Sequence, residues 1–143
     1  MTLKAFFRLL LATLFAGLVS ADHVMALYYQ SVASGNWNVT STWQSSVGPG
    51  GPWSPAGTTP TSADQTITIM AGTVVRITTG ATIDEVVVSP GATLIATANA
   101  NLTINNGAAA DLIINGTFID SLYGAANITF NAGATWQISA GAT

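Results

Sequence analysis

The chain contains no cysteine, and only three of its 143 residues are lysine or arginine. Two of these, Lys4 and Arg8, lie near the N-terminus, which leaves Arg76 as the only basic residue further along. Without cysteine, no disulfide and no thiolate metal site can stabilise the fold. Nucleic acids and anionic membrane surfaces are bound through clusters of basic residues, and a single arginine excludes both as partners. We therefore expect stability to come from apolar burial and backbone pairing.

Groups that could perform catalysis are also scarce. The only histidine is His23, near a predicted cleavage site, so histidine-based triads and histidine metal sites are excluded from the mature chain. Asp84 and Glu85 are adjacent, but neighbours in a strand point to opposite faces, and we expect them to form a solvated turn or strand start. A hydrolase that uses Asp111 and Asp120 is the remaining enzymatic alternative. The sequence favours a protein that is not an enzyme and binds no cofactor or metal.

Residues 1–26 have the pattern of a secretory signal peptide. Lys4 and Arg8 precede the apolar run Leu9–Val19, and small residues allow cleavage after Ala21 or Ala26. The run is shorter than the roughly 20 apolar residues of a membrane helix. We expect a protein that is secreted, extracellular or displayed on a cell surface, with no membrane insertion after the signal is removed.

Residues 27–62 differ from the rest of the chain because they hold most of its large aromatic residues, including Trp37, Trp43 and Trp53. Trp37 and Trp43 are an even number of residues apart, which is compatible with one face of an extended strand. The following Gly/Pro-rich segment, Gly48–Asp64, has the composition of a loop. We interpret residues 27–62 as an N-terminal cap that covers the first unit of a repeat. The alternative is that the three tryptophans stack on a glycan.

Residues 63–143 repeat one short phrase, in which apolar residues alternate with Thr, Asn or Ser and a Gly-containing turn follows. In the second half of this region the glycines recur at nearly even steps, at Gly107, Gly116, Gly124, Gly133 and Gly141. Alternate glycines are therefore separated by a constant interval, and repetition of this kind predicts a stack of similar units. Alternating β-branched residues and frequent glycine favour strands over helix. We predict an all-β fold, specifically a β-solenoid whose coils are about as long as the interval between alternate glycines and whose first strand is Gln65–Met70.

The alternation also predicts which side chains point into the solenoid. These are Ile67, Ile69, Val75, Ile77, Ile83, Val86, Val88, Leu94, Leu102, Ile104, Leu112, Ile114, Phe118, Ile128, Phe130, Trp136 and Ile138.

An antiparallel β meander or sandwich is the alternative fold. Asn115-Gly116 and Asn106-Gly107 are good signals for two-residue hairpins, and a meander would give the same spacing of glycines. The Thr, Asn and Ser at the outward positions favour the solenoid, because these residues form hydrogen-bonded ladders when coils lie in register. Lys and Glu, which protect solvated antiparallel sheets, are nearly absent.

Three segments resemble the opening of large secreted bacterial β-helix surface proteins: SGNWNVTSTWQ, PTSADQTITIMAGTVVRI and ATIDEVVVSPGATL. They are also similar to a glycine-studded extracellular domain of some eukaryotic cell-surface proteins. The matching positions are Trp37, Trp43, Pro60, Asp64, Ile67, Ile69, Gly72 and Val75. The resemblance implies a right-handed parallel β-helix with an adhesin-like surface role, and it transfers no catalytic residue. Such proteins are usually much longer, and this chain stops within the repeated phrase.

These observations predict a non-enzymatic β-solenoid that acts as a structural or adhesive element at the cell surface. Its C-terminal coil, with Trp136 and Ile138, is the candidate edge for pairing with copies of the chain, as in an end-to-end fibre, or with further coils. The alternatives are a carbohydrate-binding module or glycan-active β-helix protein that contacts surface glycans and, as a minor one, an ice-binding protein.

Overall fold

The computed structural model describes residues 25–97, 100–121 and 127–143. The predicted signal peptide lies almost entirely outside these ranges. The described residues form strands and one 3-10 turn, Thr40–Thr42, with no α-helix, so the prediction of an all-β fold is confirmed. No helix among them has the length and hydropathy of a membrane span. The strands are β1 (Tyr28–Ser31), β2 (Gly35–Asn36), β3 (Trp43–Ser46), β4 (Ser54–Pro55), β5 (Ile67–Ile69), β6 (Val74–Ile77), β7 (Ala81–Ile83), β8 (Val86–Val88), β9 (Thr93–Ala96), β10 (Leu102–Ile104), β11 (Leu112–Ile114), β12 (Thr117–Asp120), β13 (Ile128–Phe130) and β14 (Trp136–Ile138).

The strands are distributed over three sheets. Their orders are β14-β11-β8-β5-β1-β3-β4 in the first sheet, β12-β9-β6-β2 in the second and β13-β10-β7 in the third. After β5, each strand belongs to a different sheet from the strand before it, and three successive strands, counted from β5, make one layer. The first layer is β5–β7, the second β8–β10 and the third β11–β13, and β14 begins a fourth. Every strand pairing between these layers is parallel.

The layers are longer than the spacing of glycines predicts. Ile67, Val86, Leu112 and Trp136 occupy one register position in successive layers. The step from Ile67 to Val86 is close to the interval between alternate glycines, but the two steps that follow are clearly longer. The predicted coil length is therefore wrong beyond the first layer. A layer contains three strands with their turns, whereas the interval between alternate glycines counts only two of them.

Inward side chains of successive layers form columns, because the parallel register places equivalent residues beside each other. Twelve of the predicted inward residues are at most 2% exposed, namely Ile67, Ile69, Val75, Ile77, Ile83, Val86, Val88, Leu94, Leu102, Ile104, Leu112 and Ile114. The last members of the columns occupy the register positions of buried inward residues, but they are not buried themselves. Phe118 and Ile128 are only partly buried, and Phe130, Trp136 and Ile138 are exposed, because no described layer covers them.

Turns between strands explain the recurring glycine. After β8, the chain turns through Ser89-Pro90-Gly91-Ala92, the Ala92 N–H donates to the Ser89 carbonyl at 2.9 Å, and Gly91 has φ = 77°. A turn with a positive φ at its third residue favours glycine at that position.

Gly116 has a different role, because it lies against the backbone of the preceding layer. A Cβ atom on Gly116 would collide with the carbonyl oxygens of Ser89 and Ala92. The Asn115-Gly116 pair therefore joins β11 to β12 in another sheet and does not close a hairpin. The antiparallel meander is not the arrangement found in residues 63–143, where the described pairings are parallel.

The N-terminal segment forms β1 to β4 and covers two of the three sheets at one end of the stack. β1 pairs in parallel with β5 and antiparallel with β3, β3 pairs antiparallel with β4, and β2 pairs in parallel with β6. The predicted loop thus contains the short strand β4. Trp37 lies in the turn after β2, whereas Trp43 begins β3. Their proximity comes from this turn, and they do not lie on one face of a single strand.

Replacing isoleucine by alanine tests how far burial in the columns stabilises the fold. Ile104 is fully buried between two layers, whereas Ile119 is 40% exposed. We expect Ile104→Ala to lower the free energy of unfolding by about 2–5 kcal/mol, because it removes buried methyl groups and leaves a cavity. The control Ile119→Ala should cost about 1 kcal/mol or less. Urea unfolding monitored by circular dichroism measures both, and equal losses would contradict the assigned core.

Candidate functional site

Trp37 and Trp43, two of the predicted site residues, lie inside the cap. Trp37 is 5% exposed and Trp43 is 1% exposed. Their ring centroids are 5.1 Å apart in an edge-to-face arrangement, and Tyr29 packs edge-on against Trp43 at 6.4 Å. The Trp43 indole N–H donates to the Trp37 carbonyl at 2.9 Å, and the Trp37 indole N–H donates to the Pro60 carbonyl at 3.0 Å. Buried indoles with satisfied N–H groups are typical of structural aromatic residues.

Stacking on a sugar requires an accessible aromatic face, which Trp37 and Trp43 do not offer. Trp53 is partly buried near Gly51 in the loop before β4. The three tryptophans therefore do not form one common platform. The geometry agrees better with the interpretation of residues 27–62 as a cap than with glycan stacking.

The last described layer presents the other predicted site residues. Trp136 is 56% exposed and Ile138 is 55% exposed, whereas their register partners Leu112 and Ile114 are 1% and 2% exposed. Phe130 is 41% exposed and lies 5.8 Å from Trp136 between ring centroids. These three residues form an apolar surface, which we call the terminal face. It differs from the buried columns only in that no described strand covers it.

The outer edges of β13 and β14 at the terminal face are unpaired, whereas that of β12 is partly paired: the Phe118 N–H donates to the Thr143 carbonyl at 2.7 Å, and the Thr143 N–H donates to the Gly116 carbonyl at 3.1 Å. Among the described strands, β12 pairs only with β9, β13 only with β10 and β14 only with β11. Polar side chains connect the last layers at their corners: the Asn131 amide donates to Asn105 at 2.8 Å, and the hydroxyls of Thr117 and Thr143 are 2.9 Å apart. An unpaired edge beside an apolar face is a template for a further strand.

A pair of buried carboxyl groups lies at the corner where the chain enters the first sheet. Sequence reasoning missed this pair. Asp111, fully buried, accepts the Gly107 N–H at 2.7 Å, the Thr135 N–H at 2.5 Å and the Thr135 hydroxyl at 3.0 Å. Asp84 is only 6% exposed and contacts the Asp111 carboxyl. The Asp84 Oδ1 atom has no hydrogen-bond partner among the described residues.

The two carboxyl groups differ in acidity because their partners differ. Burial, followed by the hydrogen bond and the charge of Asp111, raises the pKa of Asp84 to about 6. Burial also opposes ionisation of Asp111, but the hydrogen bonds donated by Gly107 and Thr135, and the contact with Asp84, lower the pKa of Asp111. These environments favour an arrangement in which Asp84 holds a proton, Asp111 is ionised, and the two carboxyl groups share that proton.

The expectation of a solvated turn at Asp84-Glu85 is wrong for Asp84. Glu85 has a positive φ of 49°, which turns the chain so that Asp84 packs against the Gly107 backbone. Asp84 and Asp111 are separated by nearly the same number of residues as Val86 and Leu112, two residues that share a register position. This equal spacing was the signal in the sequence that could have revealed the pair. Neither carboxyl is accessible to a substrate. Asp120, proposed as the partner of Asp111, lies in β12 of another sheet.

The carboxyl pair predicts a pH dependence of stability. Because the pKa of Asp84 is raised in the folded state, its contribution is complete below about pH 4 and lost as the pH rises through about 6. The shift from 3.8 to about 6 corresponds to about 3 kcal/mol, at about 1.4 kcal/mol per pKa unit. We expect Asp84→Asn to remove this loss, since its amide can donate to Asp111 at every pH. Urea unfolding at intervals between pH 4 and 7 measures the effect.

Glu85→Gln, an adjacent carboxyl-to-amide change at a partly exposed residue, is the matched control for Asp84→Asn. It should retain the fall in stability between pH 4 and 6. At pH 7, Asp84→Asn should be more stable than the unmodified chain. A pH profile of Asp84→Asn that is parallel to that of the unmodified chain would contradict the shared proton.

Comparison with known proteins gives no external guide to these sites. Searches against protein-family models, curated protein sequences and solved structures found no match to this chain. Among the described residues, no group of three or more His, Cys, Asp or Glu side chains is placed to hold a metal ion.

Proposed function

We propose that this chain is a secreted, non-enzymatic right-handed parallel β-helix that serves as a structural or adhesive element at a cell surface. The parallel pairing of β5 to β14 and the rotation of successive strands through three sheets support a β-helical path. The basic and apolar N-terminal segment supports export. The resemblance of residues around Trp37, Asp64 and Gly72 to the opening of bacterial β-helix surface proteins agrees with this role.

The exposure of the terminal face is the observation that carries the proposal. In the columns that end at Trp136 and Ile138, the preceding residues are at most 2% exposed, and the terminal residues are more than half exposed. An unpaired parallel edge beside the face provides backbone donors and acceptors for another strand. The face therefore has the chemistry of a layer interior, and we propose that a second copy of the chain covers it.

The two ends of the stack differ, which determines the form of this assembly. At the other end, β1 and β2 cover the first two sheets, and Tyr29, Trp37 and Trp43 are buried within the cap. A contact between two terminal faces uses the same surface on both copies and closes as a dimer. An end-to-end fibre would require a second contact through the cap.

Replacing apolar residues of the terminal face by threonine tests the proposed dimer. Sedimentation velocity of the exported chain at increasing concentration should detect dimers. The Trp136→Thr/Ile138→Thr double variant should dimerise at least about tenfold more weakly, because tryptophan at the centre of an interface contributes strongly to affinity. As a control, Val47→Thr/Ile119→Thr changes two exposed apolar residues that are not at inward positions of the terminal face. Only monomer at high concentration would overturn the proposed dimer, whereas larger polymers would support a fibre.

Replacing Asp120 provides a second test, in which dimerisation is expected to become stronger instead of weaker. It occupies the register position of Ala96 and Ile77, both fully buried in earlier layers, so it places a carboxylate at the edge of the terminal face. A charge at this position opposes coverage by another layer. We expect Asp120→Ala to strengthen dimerisation several-fold in the same sedimentation experiment. Weaker dimerisation would contradict coverage of this column by a second copy.

A further inference from the structure

A cleft of about 300 Å³ lies between the cap and the turn that joins β6 to β7. Its cap side contains Trp37 and Asn38 and residues 59–62, and its other side contains residues 78–82. Six of the lining polar side chains make no hydrogen bond to another described residue: Asn38, Thr59, Ser62, Thr78, Thr79 and Thr82. The volume is at the lower end of the roughly 300–1,000 Å³ that ligand sites occupy.

The cleft lies where the cap leaves one sheet uncovered. β1 and β2 extend the first and second sheets, but β7 is the edge strand of the third. The Ala81 N–H donates to the Asn101 carbonyl in the next layer at 2.9 Å. Alternate residues of an edge strand direct their backbone groups to opposite sides. The N–H and C=O of Thr82 therefore point away from β10 towards the cap side.

Hydrogen bonds hold the cap side of the cleft in place. The Trp37 indole N–H donates to the Pro60 carbonyl at 3.0 Å, and the Trp37 backbone N–H donates to the Arg76 carbonyl at 2.8 Å. The backbone N–H and the hydroxyl of Thr61 both donate to Asp64 Oδ2 at 2.9 Å. A ligand would not have to order this side on binding, which reduces the entropic cost of association.

The lining contains no acidic or basic side chain. Each hydroxyl both donates and accepts a hydrogen bond, and the Asn38 amide does the same with two atoms. Vicinal hydroxyls of a sugar have the same dual character, whereas phosphate, sulfate or uronate groups would find no cation. We infer that the cleft binds one or two units of a neutral saccharide. The inference gives the proposed adhesive role a ligand and depends on that role for its biological meaning, whereas binding does not require dimerisation.

An extended peptide added to the edge of β7 is the competing occupant. Peptides recognised in this way place alternate side chains in pockets beside the strand. Here β7 has only three residues, and hydroxyl and amide groups surround it. The polar side chains without a hydrogen-bond partner outnumber the one backbone N–H and one C=O that Thr82 offers to a peptide. This favours a polyhydroxylated ligand.

Amide chemical shifts of the ¹⁵N-labelled exported chain test the inference. The probes are cellobiose, maltose, lactose and methyl mannoside, with glucuronate and sialyllactose as anionic probes and an alternating Thr-Val hexapeptide as the peptide probe. At least one neutral saccharide should cause saturable shifts at Gly80 and Thr82. Thr78→Val/Thr79→Val should weaken that binding about tenfold or more, because it removes two exposed hydroxyls without changing side-chain shape. Asn38→Ala should also weaken it.

The matched control is Thr68→Val, at an outward position of β5 in another sheet, and it should leave saccharide affinity unchanged. The Trp136→Thr/Ile138→Thr variant should bind the saccharide as the unmodified chain does, so loss of dimerisation and loss of binding are separate results. The inference is overturned if no neutral saccharide binds, if the anionic or peptide probes bind in preference, or if neither cleft variant weakens binding.

Discussion

The parallel register between successive layers is the constraint on which the rest of the structure depends. It places Ile67, Val86 and Leu112 in one column and Ile69, Val88 and Ile114 in the next, so each layer supplies the apolar cover for its neighbour. A single layer has three strands of three or four residues and cannot bury its own side chains. Stability is then a property of contacts between neighbouring layers, as it is in repeat architectures. Any residue at the end of a column is exposed until something covers it.

The same constraint explains why the exterior can be almost free of charge. The buried inward positions of the first two layers are apolar, and adjoining layers are joined by backbone ladders and by corner contacts such as Asn105 with Asn131. Charged groups are therefore few, and where they enter the stack they need special partners. Asp111 is held by three hydrogen bonds from Gly107 and Thr135, while Asp84 is accommodated only next to it. This polar corner also connects residues of three layers, which gives it a structural role.

Alternation and repetition predicted the all-β fold and the buried columns up to Ile114, since both depend on local spacing alone. The length of a layer was not predictable in this way, because glycine marks turns and the number of turns in each layer depends on which strands pair. Trp37 and Trp43 were assigned to a cap from composition, but the turn that brings them together is set by tertiary contacts with Pro60 and Arg76. Asp84 and the β7 cleft were missed for the same reason: each combines residues that are distant in sequence, and their chemistry becomes visible only after folding.

The terminal face and the cleft lie at opposite ends of the stack, and this arrangement has a consequence for the adhesive role that we propose. The cleft adjoins the cap and β7 in the first layer, whereas Trp136 and Ile138 belong to the layer that begins after β13. A dimer closed through two terminal faces would direct its two clefts outward. A site formed largely by neutral hydroxyls binds a single sugar weakly, but two linked sites on a surface that repeats the same sugar can gain roughly 10²–10⁴-fold in apparent affinity. Pairing through the apolar end would thus convert a weak contact at the polar end into stable attachment, without any additional residue at either site.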